Sequence, residues 1–243
     1  MFKFHLLRGL RDWAGHLILI AVPVLLIAFF NYVFSGAQFR YGQGANPIAF
    51  LSALTIGFAL TFQIYGASVS FEVIGDDFLS PKKDRLLASP AEPRAIVSST
   101  IVVGFIVSFL QTLAVLLFAS LALKAELGSI AVALPIFALS AAFNQLLGTA
   151  VLILSGSVKL ANGILTFYGA VAPMAMGLYF PLPQNGFFSF VREYLGPMAL
   201  ANTAILGAME GNSFKLAVGV GSLALLSLGL FLALPSLIRR LAR

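Results

Sequence analysis

The chain has 243 residues, of which 60% are hydrophobic and only 10% charged, where a soluble domain carries about 25% charged residues. Its formal charge of +6 is scattered over short polar segments with no single basic domain, which excludes a nucleic-acid-binding module and suits anionic lipid head groups. With no cysteine in the sequence, disulfides and thiolate metal sites are excluded as well.

In the opening segment Phe2, Leu6, Leu10, Trp13 and Leu17 recur every three or four positions, opposite His5, Arg8, Arg11 and Asp12. That spacing predicts an interfacial amphipathic helix over 2–17 that turns into the first span; an ordinary basic flank is the plainer alternative. Six apolar runs follow, near 15–34, 48–70, 96–123, 129–156, 160–180 and 214–238, each close to the roughly 20 residues that cross about 30 Å of hydrocarbon. They are continuous and rich in Leu, Ala, Val and Ile, without the alternation of membrane strands. The fold class they predict is an all-α polytopic membrane protein with six transmembrane helices, a single membrane domain over 1–243. The first run exceeds the 7 to 15 residues typical of a signal-peptide core, so it is expected to be retained.

Placing both termini in the cytoplasm puts eleven of the fifteen basic residues inside: Lys3, Arg8, Arg11, Lys82, Lys83, Arg85, Arg94, Lys159, Arg239, Arg240 and Arg243. Arg40, Lys124, Arg192 and Lys215 remain outside, and the asymmetry follows the positive-inside rule for an even number of spans. The expected location is the cytoplasmic (inner) membrane of the cell.

Between the second and third runs the chain reads "FEVIGDDFLSPKKDRLLASPAEPRAIV", residues 71–97, charged and with three prolines. Ser80 suits an N-cap and Pro81 the first helical position, while Pro90 disfavours helical geometry at Ser89. A two-turn helix near 81–88 follows, too short to stand alone in water. A knob of this kind fits a membrane protein that passes force to a soluble partner; a solvated loop that only sets topology is the alternative.

Polar groups at depth are neutral: Gln63, Gln111, Asn144 and Gln145. Amides in hydrocarbon need partners, and bonds between helices supply them; otherwise some line a substrate path. In "AVAPMAMG", Pro173 interrupts the fifth run, and Met174 and Met176 beside it offer adaptable apolar contact. Near the C-terminus, "NGFFSFVREYLGPMALANTAILGAMEGN" is divided by Gly196 and Pro197 into helical pieces near 187–195 and 198–209, each too short to span. They are expected as a broken hairpin dipping into the outer leaflet or as an amphipathic surface loop.

The order of these pieces resembles the permease subunits of ABC-2 type (type-2 ATP-binding cassette) transporters. The sequence-specific part is Glu72 followed by the segment Arg85, Leu86, Leu87, Ala88, Ser89, Pro90, with "GDDFLSPKK" in place of the usual Gly-Thr region. The resemblance implies that the short helix is a coupling helix seated on an ATPase, with Glu72, Lys82, Lys83, Asp84, Arg85, Leu86, Leu87, Ser89 and Pro90 as its contact residues. It implies a substrate path faced by the second and fifth runs, near Gln63, Pro173, Met174 and Met176, to which Asn144 is added as a polar group at depth, and a complex of two permeases with two ATPase subunits.

No G-x-x-x-x-G-K-[ST] occurs in the sequence, so ATP and Mg are expected on the partner ATPase and no cofactor on this chain. No Asp or Glu lies at mid-span, which argues against an ion-driven carrier. His5 and His16 are expected as interface anchors. The combined expectation is a non-catalytic exporter permease for a hydrophobic or amphipathic cargo, drug-like, peptide or lipidic. The rival readings are a stand-alone channel or facilitator and a non-transporting scaffold or immunity protein.

Overall fold

The computed structural model describes residues 7, 13–34, 40–41, 48–88, 92–179, 182–183 and 185–241. Ten helices and one small ladder are described: α1 (Trp13–Val33), β1 (Arg40–Tyr41), β2 (Ile48–Ala49), α2 (Phe50–Gly66), α3 (Ser68–Phe78), α4 (Lys82–Leu87), α5 (Pro93–Ala122), α6 (Ile130–Ser155), α7 (Val158–Ala175), α8 (Gly186–Tyr194), α9 (Pro197–Glu210) and α10 (Ser213–Leu241). The ladder, Arg40 opposite Ala49 and Tyr41 opposite Ile48, is the one departure from the all-α expectation among the described residues.

Five stretches are long and apolar enough to cross a membrane: α1, Phe50–Phe78, α5, α6 and α10. The sixth expected span is α7, whose 18 residues reach about 27 Å, and whose first turns carry Lys159 and Asn162. It is not among the five.

The second stretch is the axis of the bundle. Its most apolar part is 83% buried, against 11% for α1 and for α10. Helix α2 packs on α1, α5, α6, α7 and α9, whereas α1 rests on α2 and α5, and α10 on α9, α6 and α5. In hydrocarbon the unpartnered sides of the outer helices meet lipid as readily as protein, so their exposed Leu and Phe side chains cost nothing there.

At Ala67 this central stretch is interrupted. The amide of Ala67 reaches Gln63 O and Ile64 O, and that of Ser70 turns back to Ala67 O at 3.2 Å, so the i→i−4 ladder slips by one residue. Gln145 of α6, fully buried, closes the gap: its Nε2 donates to Gly66 O at 3.3 Å and to Gly104 O of α5 at 3.2 Å. Its Oε1 accepts the Ser70 hydroxyl. Gly104 is required by this approach, because a Cβ there would lie 2.6 Å from Gln145 Oε1. One turn further along, Gln63 Nε2 donates to Phe137 O at 3.0 Å and Thr112 Oγ1 at 3.2 Å. Gln63 and Gln145 thus act as bonds between helices, as the neutral polar groups at depth foretold.

The sequence expectation ended this span near 70, but α3 carries the helix on to Phe78. Phe71, Ile74 and Phe78 recur on one face and are all buried, so the helical period persists where mean hydropathy falls. At the far end of the chain, α8 and α9 match the two expected pieces. Asn185 Oδ1 caps α8 by accepting from Phe188 N at 2.9 Å, and Pro197 opens α9. Helix α9 is buried along most of its length, which the surface-loop alternative does not fit. Lys215 of α10 ties the hairpin down, 3.2 Å from Glu210 Oε2 and 3.5 Å from Glu193 Oε1.

Replacing Gln145 by Leu leaves two buried carbonyls and the Ser70 hydroxyl without this partner. The expected result is a loss of about 1–2 kcal/mol in reversible unfolding in mixed SDS micelles.

Candidate functional site

Two features converge on the central helix at the end of the bundle that carries the charged segment. The first is α4. Ser80 joins it to α3: its hydroxyl donates to Asp76 O at 2.5 Å and accepts from Lys82 N at 3.2 Å. Lys82 Nζ then closes on Asp76 Oδ2 at 2.6 Å. The helix proper runs from Lys82 to Leu87 with Pro81 at the N-cap position, so the expected N-cap, Ser80, lies one residue before it and holds the first turn from outside. Asp84 and Arg85 are exposed, whereas Leu86 is half-buried against the main core. Ser89 and Pro90 lie outside the described residues, as do Phe2, Leu6 and Leu10 of the expected interfacial helix; Trp13 is the exposed first residue of α1.

The second feature is a seam between α1 and α7, floored by α2 and α3. Its lower half, next to the charged segment, is a cleft of about 390 Å³ lined by His16, Tyr65, Ser68, Glu72, Asn162 and Leu165, among others. Glu72 faces this cleft, with Asn162 Nδ2 of α7 donating to its Oε1 at 2.8 Å. Gln111 of α5 donates its amide to His16 Nδ1 at 3.0 Å. The upper half, about 280 Å³, is aromatic: Phe30, Phe58, Phe62, Tyr65 and Tyr179 surround it, with Met174 at its side. There Phe58 stacks on Tyr179 at 4.3 Å between ring centres, and Tyr179 donates to Thr61 Oγ1 at 2.8 Å.

Tyr65 borders both halves. Its ring meets Phe62 edge-on at 5.4 Å and lies across Gly169 of α7, where a Cβ would come within 2.9–3.0 Å of the phenol. Residues 65, 68, 69 and 72 follow at three- and four-residue spacing, so α2 and α3 present a single face to the seam across the break at Ala67.

Of the expected path residues, Met174 is exposed on this seam, whereas Met176 is buried, its Cε against the Cβ position of Gly196. Pro173 is buried in the last turn of α7 and its carbonyl accepts from Leu178 N at 2.9 Å. Gln63 is engaged in the helix contacts described above, and Asn144 is buried on α6. Sequence reasoning missed Tyr65, Asn162, Gly169 and Tyr179. The available signal was the i, i+3, i+7 placement of Tyr65, Ser68 and Glu72. Among the described residues no group of three or more His, Cys, Asp or Glu side chains could hold a metal ion.

Long apolar helices around a buried axis, joined by short polar segments, define a multi-pass membrane protein. A family model described as "ABC-2 type transporter" matches residues 1–209, and the chain belongs to that family. It is therefore a membrane component of an ABC transporter, of a kind that is generally non-catalytic and associates with an ABC ATPase subunit. Comparison with curated proteins and with solved structures returned no match.

Gly169→Val should drive a side chain into the Tyr65 ring and lower stability by about 1–3 kcal/mol. Adding Tyr65→Ala should recover most of that loss in a double-mutant cycle read by thermal unfolding.

Proposed function

We propose that the chain is the transmembrane permease of an ABC exporter, a single domain over 1–243 that moves a hydrophobic or amphipathic cargo out of the cytoplasm. In this reading α7 is the sixth span, both termini are cytoplasmic, and the location is the cytoplasmic membrane. ATP and Mg are bound by the partner ATPase, and two permeases, identical or homologous, stand over two ATPase subunits.

The observation that carries the reading is the attachment of α4. A short helix bearing Lys83, Asp84 and Arg85 is clipped through Ser80 and the Asp76–Lys82 pair to α3, which continues the most buried helix of the bundle. As the coupling helix, α4 passes displacement straight to the axis, and Glu72 passes it on to α7 through Asn162. The exposed Asp76–Lys82 pair contributes little stability by itself; its use here is to hold the angle between α3 and α4. Nucleotide energy enters only if the ATPase holds α4 differently in its two states, since equal affinity for both shifts nothing. The seam along α1, α2 and α7 is then the cargo's route, with Met174 on its wall.

Reversing the charges of Lys83 and Arg85 together (Lys83→Glu, Arg85→Glu) leaves the buried side of α4 untouched. The ATPase subunit should then co-purify at about a tenth of the wild-type amount, or less, each lost charged contact being worth roughly 1 kcal/mol. ATP-driven cargo movement in vesicles should fall with it. Undiminished co-purification and transport would overturn the assignment of α4.

A further inference from the structure

We infer that the seam is built for a lipophilic cation: an ammonium-bearing head seats at Glu72 in the lower cleft, and its apolar or aromatic body lies beneath the Phe58–Phe62–Tyr179 box. The inference rests on the permease reading for its role as cargo, but its binding chemistry stands on the geometry alone.

Three observations carry it. First, among the described residues lining the two halves, Glu72 is the one acidic side chain and no Lys or Arg is present. Asn162 occupies one carboxylate oxygen, which orients the group toward the cleft without neutralising it. Second, an occupant that fills the cleft expels water from the carboxylate. A neutral molecule would leave that charge uncompensated and an anion would add repulsion, whereas an ammonium replaces the lost hydration with a charge-assisted hydrogen bond.

Third, polarity is graded along the seam. Ser68, Glu72 and Asn162 lie at one end and Phe30, Phe58, Phe62 and Tyr179 at the other, with Tyr65 between them. An amphiphile with one charged and one apolar end matches that gradient in a single orientation. The two halves, about 390 and 280 Å³, fall within the size range of sites for small drug-like molecules. The aromatic faces also tolerate positive charge through their quadrupoles, so a cation meets no barrier in the upper half. Anionic lipid head groups concentrate such cations at the membrane surface from which the lower cleft would fill.

The test uses the full chain with its ATPase subunit in nanodiscs, without nucleotide, and two fluorescent probes that share one body, monodansylcadaverine with its free, charged amine and the N-acetyl derivative in which that amine is a neutral amide. The amine should bind about tenfold more tightly than the amide. Glu72→Gln, which keeps an oxygen acceptor for Asn162, should abolish that preference, whereas Asn162→Ala, which keeps the carboxylate, should retain it. Phe62→Leu should weaken both probes alike. Equal affinity of the wild type for the two probes, or a preference that survives Glu72→Gln, would overturn the inference. So would its equal loss in Asn162→Ala, since the strut and not the charge would then be responsible. A parallel assay of ATP-driven probe movement in vesicles separates the two levels. Charge-selective binding without ATP-driven movement supports the site and overturns the exporter reading. ATP-driven movement of the neutral probe without charge selection does the reverse.

Discussion

The carboxamide of Gln145 holds the bundle at its least tolerant point. Within hydrocarbon no water is available to satisfy a backbone carbonyl that leaves its helix, and the slip at Ala67 releases one at Gly66. Gln145 takes that carbonyl, takes Gly104 O as well, and accepts the Ser70 hydroxyl. One side chain of α6 therefore pins α2, α3 and α5 together. A break that would otherwise be a defect in a spanning helix is thus closed by a side chain, and the close approach it needs is the reason for glycine at 104.

Both candidate features lie along this helix. Below the break, α3 stays in the core, with Phe71, Ile74 and Phe78 buried on one side and Glu72 exposed on the other. Above it, Tyr65 is directed across Gly169. The same helix thus carries the short helix α4 at its end and forms one wall of a cleft along its length. The neighbouring amide, Gln63, joins α2 to α5 and α6, so the wall facing the seam is backed by bonded helices, while α7 in front of it is held by Asn162 on Glu72 and by Gly169 against the Tyr65 ring.

Much of this was legible in the residues. Four of the six apolar runs match long apolar helices to within about three positions, because long stretches without charge admit few other structures in a bilayer. Ser80 and Pro81 marked the start of α4, and Gly196 with Pro197 marked the junction of α8 and α9, through the same backbone preferences that operate in any helix. The amides at depth announced bonds between helices, though not which ones, since a lone Gln carries no record of the carbonyl it will meet. The extension of α3 to Phe78 was hidden by Asp76 and Asp77, whose charge masks a helical period that Phe71, Ile74 and Phe78 still keep. The seam was legible only in fragments, in Glu72, Met174 and the spacing of Tyr65, Ser68 and Glu72, because it arises from the pairing of Tyr65 with Gly169 more than a hundred residues away. α7 is the instructive intermediate: its 18 residues and its Lys159 and Asn162 make it a marginal span by composition, and the same Asn162 that lowers its apolarity bonds Glu72.

One consequence of the packing of α3 concerns rigidity. Its 11 residues form a rod of about 16 Å that carries α4 at one end. Phe71, Ile74 and Phe78 seat that rod in the core along its whole length, so any displacement of α4 is borne by the entire helix and the neighbours packed on it, with no free arm to swing.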